Sequence, residues 1–309
     1  MTRIAYDEMG LFHENAHEFG LPYDGPPLVE RRSVDLGDGR QLSALVWGDG
    51  PAEIVLLHGG AQNAHTWDTV ALALGRPLVA IDLPGHGHSG PGKDGSLDVR
   101  TNADDVATAI RALAPDAKAV VGMSLGGITS IALAARHPSL VRRLVLVDIT
   151  PGVNREKSKQ IAAFVNGPES FASFDDLLAR TIEFNPTRTV ASLRRGILHN
   201  AEQRDDGSWV WRYRRFSEAP PISDSDAPTT PPDYGWLWDA VASFGRPIML
   251  LRGMRSQSVV DDFDEDELIR RAPQARLIRL PEAGHSVQGD TPLEMAELVR
   301  EFCELGSRI

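Results

Sequence analysis

Short apolar runs alternate with helically spaced apolar residues through most of this 309-residue chain, and that alternation constrains the fold more than any other feature. Runs of roughly four to eight residues rich in Val, Ile and Leu suit strands buried on both faces, which occur in parallel sheets covered by helices. In chain order the strand candidates are 28–36, 41–47, 54–58, 78–82, 119–123, 141–148, 248–252 and 275–280. The first two flank Gly37-Asp38-Gly39-Arg40, a hairpin turn in which glycine supplies positive φ, so the sheet begins antiparallel. Val106, Ile110 and Leu113 recur at helical spacing, as do Ile128, Ala132 and Ala135, and both sets read as crossover helices. Thr291-Pro292-Leu293-Glu294 combines an N-cap hydroxyl, proline at the first helical position and a glutamate placed for a capping box, so a last helix is expected there.

The interval from Pro151 to Gly245 breaks this rhythm. It holds helical stretches around Phe164, around Leu177-Leu178 and from Leu193 to Leu198, then Trp209-Val210-Trp211-Arg212-Tyr213, then a Pro-rich stretch from Ala219 to Pro232. The expected architecture is therefore α/β: an eight-stranded, mostly parallel sheet in a core of 28–150 and 246–309, an inserted and mainly helical cap over 151–245, and an N-terminal extension, 1–27, with no assigned role. Four of the six tryptophans fall in the cap interval, and some of them are expected to line an apolar pocket.

With 32 Lys and Arg against 43 Asp and Glu, the chain carries a formal charge of −11, a field that repels phosphate backbones and anionic lipid surfaces. Neither nucleic acid nor membrane is expected as a partner. No apolar run approaches the ~18 residues of a membrane helix. Met1 to Gly20 mixes Asp7, Glu8, Glu14 and Glu18 with scattered apolar residues, without the basic-then-apolar order of a secretion signal, so a cytoplasmic location is expected. The lone cysteine, Cys303, has no internal disulfide partner and reads as a core residue of the last helix. Histidine and cysteine spacing shows no zinc pattern, and the glycine-rich segments show no dinucleotide or phosphate-loop pattern, so neither metal nor cofactor is expected. Oligomeric state is open, a homodimer included.

Gly122-Met123-Ser124-Leu125-Gly126-Gly127 follows an apolar strand and opens a helical pattern, the context in which G-x-S-x-G presents a serine on a tight strand-to-helix turn. Ser124 is the candidate nucleophile. In Leu57-His58-Gly59-Gly60-Ala61, at the end of the third strand, the backbone N–H of Gly60 is placed to pair with that of Leu125 around a developing oxyanion. Ala283-Gly284-His285-Ser286 follows the last strand, which makes His285 the candidate general base. His58 reads as a loop-bonding residue, and His86 and His88 as shaping their Gly-rich turn. His13, His17, His65, His137 and His199 have no partner motif.

Together with Asp82-Leu83-Pro84-Gly85-His86-Gly87-His88-Ser89, these motifs resemble the α/β-hydrolase superfamily over roughly 29–305, the cap matching only loosely. In most members the triad acid follows the seventh strand as Gly-x-x-Asp, whereas this chain reads Gly253-Met254-Arg255-Ser256. Asp148 closes the sixth strand, 24 residues beyond Ser124, and some esterases and lactonases of the superfamily resemble this chain in placing the acid there. Two readings stay open beside it: Asp148 bonding the start of the cap, and Asp261 or Asp262, in an acidic run that looks like a helix entry, as the acid.

What the resemblance implies is a cofactor-independent serine hydrolase that cleaves a carboxylic ester or lactone of a bulky hydrophobic small molecule through an acyl-enzyme. A C–C bond hydrolase of dicarbonyl ring-cleavage products would use the same residues, with Arg155, Arg188, Arg194, Arg195 or Arg212 receiving the substrate carboxylate. A perhydrolase of the same fold would differ only in the nucleophile that relieves the acyl-enzyme, and a non-catalytic small-molecule receptor is a further alternative against which the intact serine, histidine and oxyanion loop argue.

Overall fold

The computed structural model describes residues 3–96, 98–154, 156–213 and 234–304. Its strands are β1 (Val29–Asp35), β2 (Gln41–Trp47), β3 (Ile54–Leu57), β4 (Leu78–Ile81), β5 (Ala119–Met123), β6 (Leu144–Val147), β7 (Ser170–Phe171), β8 (Ala201–Gln203), β9 (Trp209–Trp211), β10 (Ile248–Gly253) and β11 (Arg276–Leu280). Eight of them form one sheet in the order β1-β2-β4-β3-β5-β6-β10-β11. β2 runs antiparallel to both β1 and β4, and the remaining pairs are parallel. The hairpin between β1 and β2 closes with Leu36 N–H on Arg40 O at 3.0 Å, and Gly37 and Gly39 both hold φ of 82°.

Alternation along the central strands splits the core into two layers. Val55, Leu57, Val120, Leu146 and Leu250 face the helices Val99–Leu113 and Leu125–Arg136; Ile54, Leu56, Val121, Val145 and Met249 face the helices Asp68–Leu74 and Pro292–Glu304. Both faces being covered, β3 to β6 are apolar throughout, and each such side chain contributes about 1.5–3 kcal/mol through burial. Cys303 is buried in the second layer.

The last helix starts at Pro292 as its sequence requires, but the Thr291 hydroxyl finds no partner among the described residues. A short helix, Val287–Asp290, runs directly into that position, with Thr291 N–H on Val287 O at 2.9 Å, and the last helix makes its first backbone bond from Met295 N–H to Thr291 O at 3.0 Å.

In the 151–245 interval the three anticipated helical stretches form Lys159–Val165, Phe174–Phe184 and Val190–Asn200. The interval is less purely helical than expected, because Trp209–Trp211 pairs with β7 and β8 in a second, antiparallel sheet of order β7-β9-β8. The expected Pro-rich stretch, 219–232, lies outside the described residues. From Tyr234 onward the chain is back on the core, with Leu237, Trp238 and Val241 in its first layer. The N-terminal segment touches both the main sheet and the 151–245 interval: Phe12 packs edge-on against Trp47, while Ile4, Tyr6 and Leu11 pack on the cluster of Leu177, Ile197 and Trp209.

Candidate active site

Ser124 stands between β5 and the helix Leu125–Arg136 with φ 49° and ψ −115°, a strained conformation for a residue with a side chain. The glycines around it are steric requirements. A β-carbon on Gly122 would overlap the Gly126 backbone, and one on Gly126 would overlap the carbonyls of Leu57 and His58. Gly126 N–H donates to His58 O at 3.0 Å and so ties the serine turn to the loop after β3.

That loop is pinned by two neutral imidazoles. His58 accepts from Leu83 N–H at Nε2 (2.9 Å) and donates from Nδ1 to Gly59 O (2.7 Å); full burial, with the neighbouring His86, holds its pKa down to about 3. His86 accepts from Ala61 N–H at 3.1 Å and donates to Pro84 O at 2.9 Å, and burial keeps it neutral as well. Asn200, from the cap, donates to Ala61 O at 2.7 Å. The Gly60 amide between these fixed points donates to nothing among the described residues. Leu125 is the first helical residue, and a first-turn N–H has no carbonyl one turn back to receive it.

His285 is 8% exposed and Asp148 fully buried, and the imidazole Nδ1 lies 2.9 Å from Asp148 Oδ2. Asp148 has φ 46°, a turn that lifts its carboxylate off the end of β6. β10 stands between β6 and β11, so the carboxylate reaches His285 across the end of β10 rather than from an adjoining strand. The loop that follows β10 wraps it: Gly253 N–H (2.9 Å) and Ser258 Oγ–H (2.6 Å) donate to Oδ1, and Val259 N–H (3.0 Å) to Oδ2. Four donors converge on two oxygens, a set that suits an acceptor-only, ionised carboxylate. The segment that lacks the usual acid is thus the segment that solvates Asp148.

Asp261 and Asp262 do not reach His285. Asp261 is the N-cap of the helix Asp262–Arg271 in a capping box with Asp264, and Asp262 pairs with Arg252 at 2.7 Å.

With Nδ1 held by Asp148, His285 Nε2 has no hydrogen-bond partner among the described residues. Both His285 and Ser124 line a cavity of about 680 Å³, closed in part by residues of the 151–245 interval. Its apolar wall comes from Ile161, Phe164, Val165 and Phe184, with Met123 beside the serine. The tryptophans of 151–245 are not in this wall. Trp209 is buried in the cap's own cluster, Trp236 and Trp238 pack on the core, and Trp211 lines a smaller cavity of about 170 Å³ alongside. Their bulk goes mainly into apolar clusters, and the apolar wall of the larger cavity is left to Ile161, Phe164, Val165 and Phe184.

Sequence spacing did not indicate a cluster of Glu8, His65, Asp68 and His199, drawn from three separate segments. His65 contacts Asp68 through Nδ1 (2.9 Å) and Glu8 through Nε2 (3.1 Å); burial alone would lower its pKa, but the two carboxylates outweigh it and hold it up to about 9. His199 stacks on it at 3.7 Å and 11°, kept neutral by burial and by the His65 charge. The group has the composition of a metal site, with His65, Asp68 and His199 offering ligand atoms within 4.8 Å of one another. The geometry does not fit one. Imidazole lone pairs lie in the ring planes, and two stacked, near-parallel rings cannot aim theirs at one ion. The arrangement fits a protonated His65 clamped between carboxylates of the extension and the core.

Residues 53–292 match the model of the alpha/beta hydrolase fold family. The chain is 45% identical over 302 residues to the esterase Rv0045c of Mycobacterium tuberculosis, covering 95% of each. A solved structure of that esterase superposes with a TM-score of 0.82 at 43% identity, covering 97% of this chain and 100% of that one. The chain is 26% identical over 261 residues to a 3-hydroxybutyrate-oligomer hydrolase of Cupriavidus necator, covering 81% of this chain and 88% of that one.

Proposed function

This chain belongs to the α/β-hydrolase family and is a serine ester hydrolase, and from that premise we propose that Ser124 is its nucleophile, His285 its general base and Asp148 its triad acid. One observation carries the assignment: a buried Asp148–His285 pair leaves Nε2 unpaired in the cavity that Ser124 lines from a strained turn. Asp148 fixes the tautomer in which Nδ1 carries the hydrogen, so the Nε2 lone pair takes the Ser124 proton as Oγ attacks the ester carbonyl. The carbonyl oxygen becomes an oxyanion received by the Gly60 and Leu125 amides, whose effect is about 3–4 kcal/mol per donor in comparable sites. The imidazolium then protonates the departing alkoxide, the acyl group remaining on Oγ. Water, deprotonated by the same Nε2, releases the acid and restores the serine. These steps require no cofactor.

The substrate is a carboxylic ester or lactone of a small molecule, with its apolar part on Ile161, Phe164, Val165 and Phe184. A fluorophosphonate should label Ser124, located by peptide mass spectrometry, and a panel of aryl esters, lactones and ring-cleavage dienones ranks the bond cleaved. Ser124→Ala, His285→Ala and the double variant should lose similar, non-additive amounts of kcat. Near-wild-type hydrolysis by Ser124→Ala would overturn the assignment, and labelling without turnover of any panel member would favour a binding protein.

A further inference from the structure

Arg188, in the cavity wall, is a cation that pairs with no acidic side chain among the described residues. It lies between the helices Phe174–Phe184 and Val190–Asn200, and it lines both the cavity of Ser124 and His285 and the smaller one alongside. Its guanidinium donates to Ser192 Oγ and rests on the Gly289 backbone, where any β-carbon would overlap it. Gly289 is four residues beyond His285, in the short helix Val287–Asp290, so Arg188 is seated on the helix that directly follows the base.

The other arginines considered as receivers of a substrate carboxylate are already matched: Arg194 with Glu14, Arg195 with Glu14 and Glu18, Arg212 with Glu202. Arg155 lies outside the described residues. In the same cavity wall Lys157 is paired with Asp261 and Asp264, and Lys159 is exposed. Asp290 and Glu18 act on Arg188 only through space, against the opposing charge of Arg195. Asp290 is itself occupied, accepting from Gly284 N–H at 2.8 Å and Thr187 Oγ1 at 3.3 Å. Withdrawing a guanidinium from water without a counter-ion costs stability, and its planar fork matches a carboxylate bidentately.

We propose that Arg188 is an anion subsite of this ester hydrolase, pairing with a carboxylate that the substrate carries away from the scissile ester. The preferred substrates are then half-esters or hydroxy-acid esters, amphiphilic molecules with apolar chain on Phe164 and Phe184 and the charged end at the junction of the two cavities. This rests on the ester-hydrolase reading above.

Two probe series test it. On the acyl side, p-nitrophenyl monoesters of adipate, pimelate and suberate are compared with the same molecules capped as methyl esters. On the alcohol side, butyrate esters of ω-hydroxy acids are compared with their methyl-capped forms. In at least one series the wild-type kcat/KM should favour the free acid by roughly tenfold or more, a typical reward for one charge-assisted pair. Arg188→Gln should bring that ratio to near one, and Arg188→Lys should retain part of it. Adipate or suberate should inhibit the wild type competitively and lose potency against Arg188→Gln, with melting curves confirming that the variant is folded. A wild-type ratio near one in both series overturns the proposal, as does a ratio that survives Arg188→Gln or falls with Lys159→Gln in its place. Absence of turnover on every capped and free ester would instead count against the ester-hydrolase reading itself.

Discussion

Replacing Asp148 with asparagine is the most informative perturbation, because all four hydrogen bonds at its carboxylate come from donors. An asparagine keeps one acceptor oxygen and adds an NH₂ group. If the oxygen stays toward Gly253 and Ser258, the NH₂ faces Val259 N–H and His285. The imidazole then turns to the tautomer with hydrogen on Nε2, and the base is lost. If the oxygen stays toward Val259 and His285, the tautomer survives but Gly253 N–H is orphaned, and the negative charge that stabilises an imidazolium is gone. Either way one buried donor is left unsatisfied, a cost of about 1–3 kcal/mol. Removing the charge lowers kcat by about 10⁴ in the comparable chymotrypsin-type substitution. We therefore expect Asp148→Asn to fold with a melting temperature several degrees lower and a kcat reduced by roughly 10³–10⁴. The assay is p-nitrophenyl ester turnover beside a thermal melt, with Asp261→Asn and Asp262→Asn as comparators. Those two should keep kcat within about twofold, and Asp261→Asn should leave stability nearly unchanged, because asparagine caps a helix about as well as aspartate. An Asp148→Asn enzyme within tenfold of wild type, or a loss in Asp261→Asn of the same order, would refute the reasoning.

Two further outcomes follow from the geometry. Gly126→Ala forces a β-carbon into the Leu57 and His58 carbonyls, so it should cost about 1–3 kcal/mol and displace the oxyanion loop; unchanged kcat and melting temperature would show that the loop yields freely. His65, with its pKa lifted to about 9, is protonated in the folded protein, so its stabilisation is complete below the ordinary histidine value of about 6.5 and is lost as pH rises through about 9. The melting temperature should accordingly fall between about pH 7 and 10 and fall less in His65→Gln; parallel curves for the two proteins would remove His65 from the account.

The central strands β3 to β6 were legible because each is buried on both faces and hence written as an unbroken apolar run, and β1 and β2 because a glycine turn separates them. Ser124, His285 and the Gly60 loop were legible for a related reason: sharp turns at strand ends need glycine at set offsets, and that need is local in sequence. The carboxylate partner of His285 was not local. Only folding decides that the loop after β10 turns Gly253, Ser258 and Val259 toward β6, and so brings Asp148, not Asp261 or Asp262, to His285. The tryptophans were legible only in part, since bulk in the sequence does not say where a ring will face: Trp211 lines the smaller cavity, while Trp209, Trp236 and Trp238 pack into apolar clusters. Only His65 and Asp68 are linked by spacing, three residues apart on one helical segment; Glu8 and His199 join them through folding, and the unpaired state of Arg188 depends on where every neighbouring carboxylate came to rest. Backbone geometry and burial act over a few residues and leave their mark in the sequence, whereas hydrogen-bond partners and counter-ions are chosen among distant segments after the chain has packed.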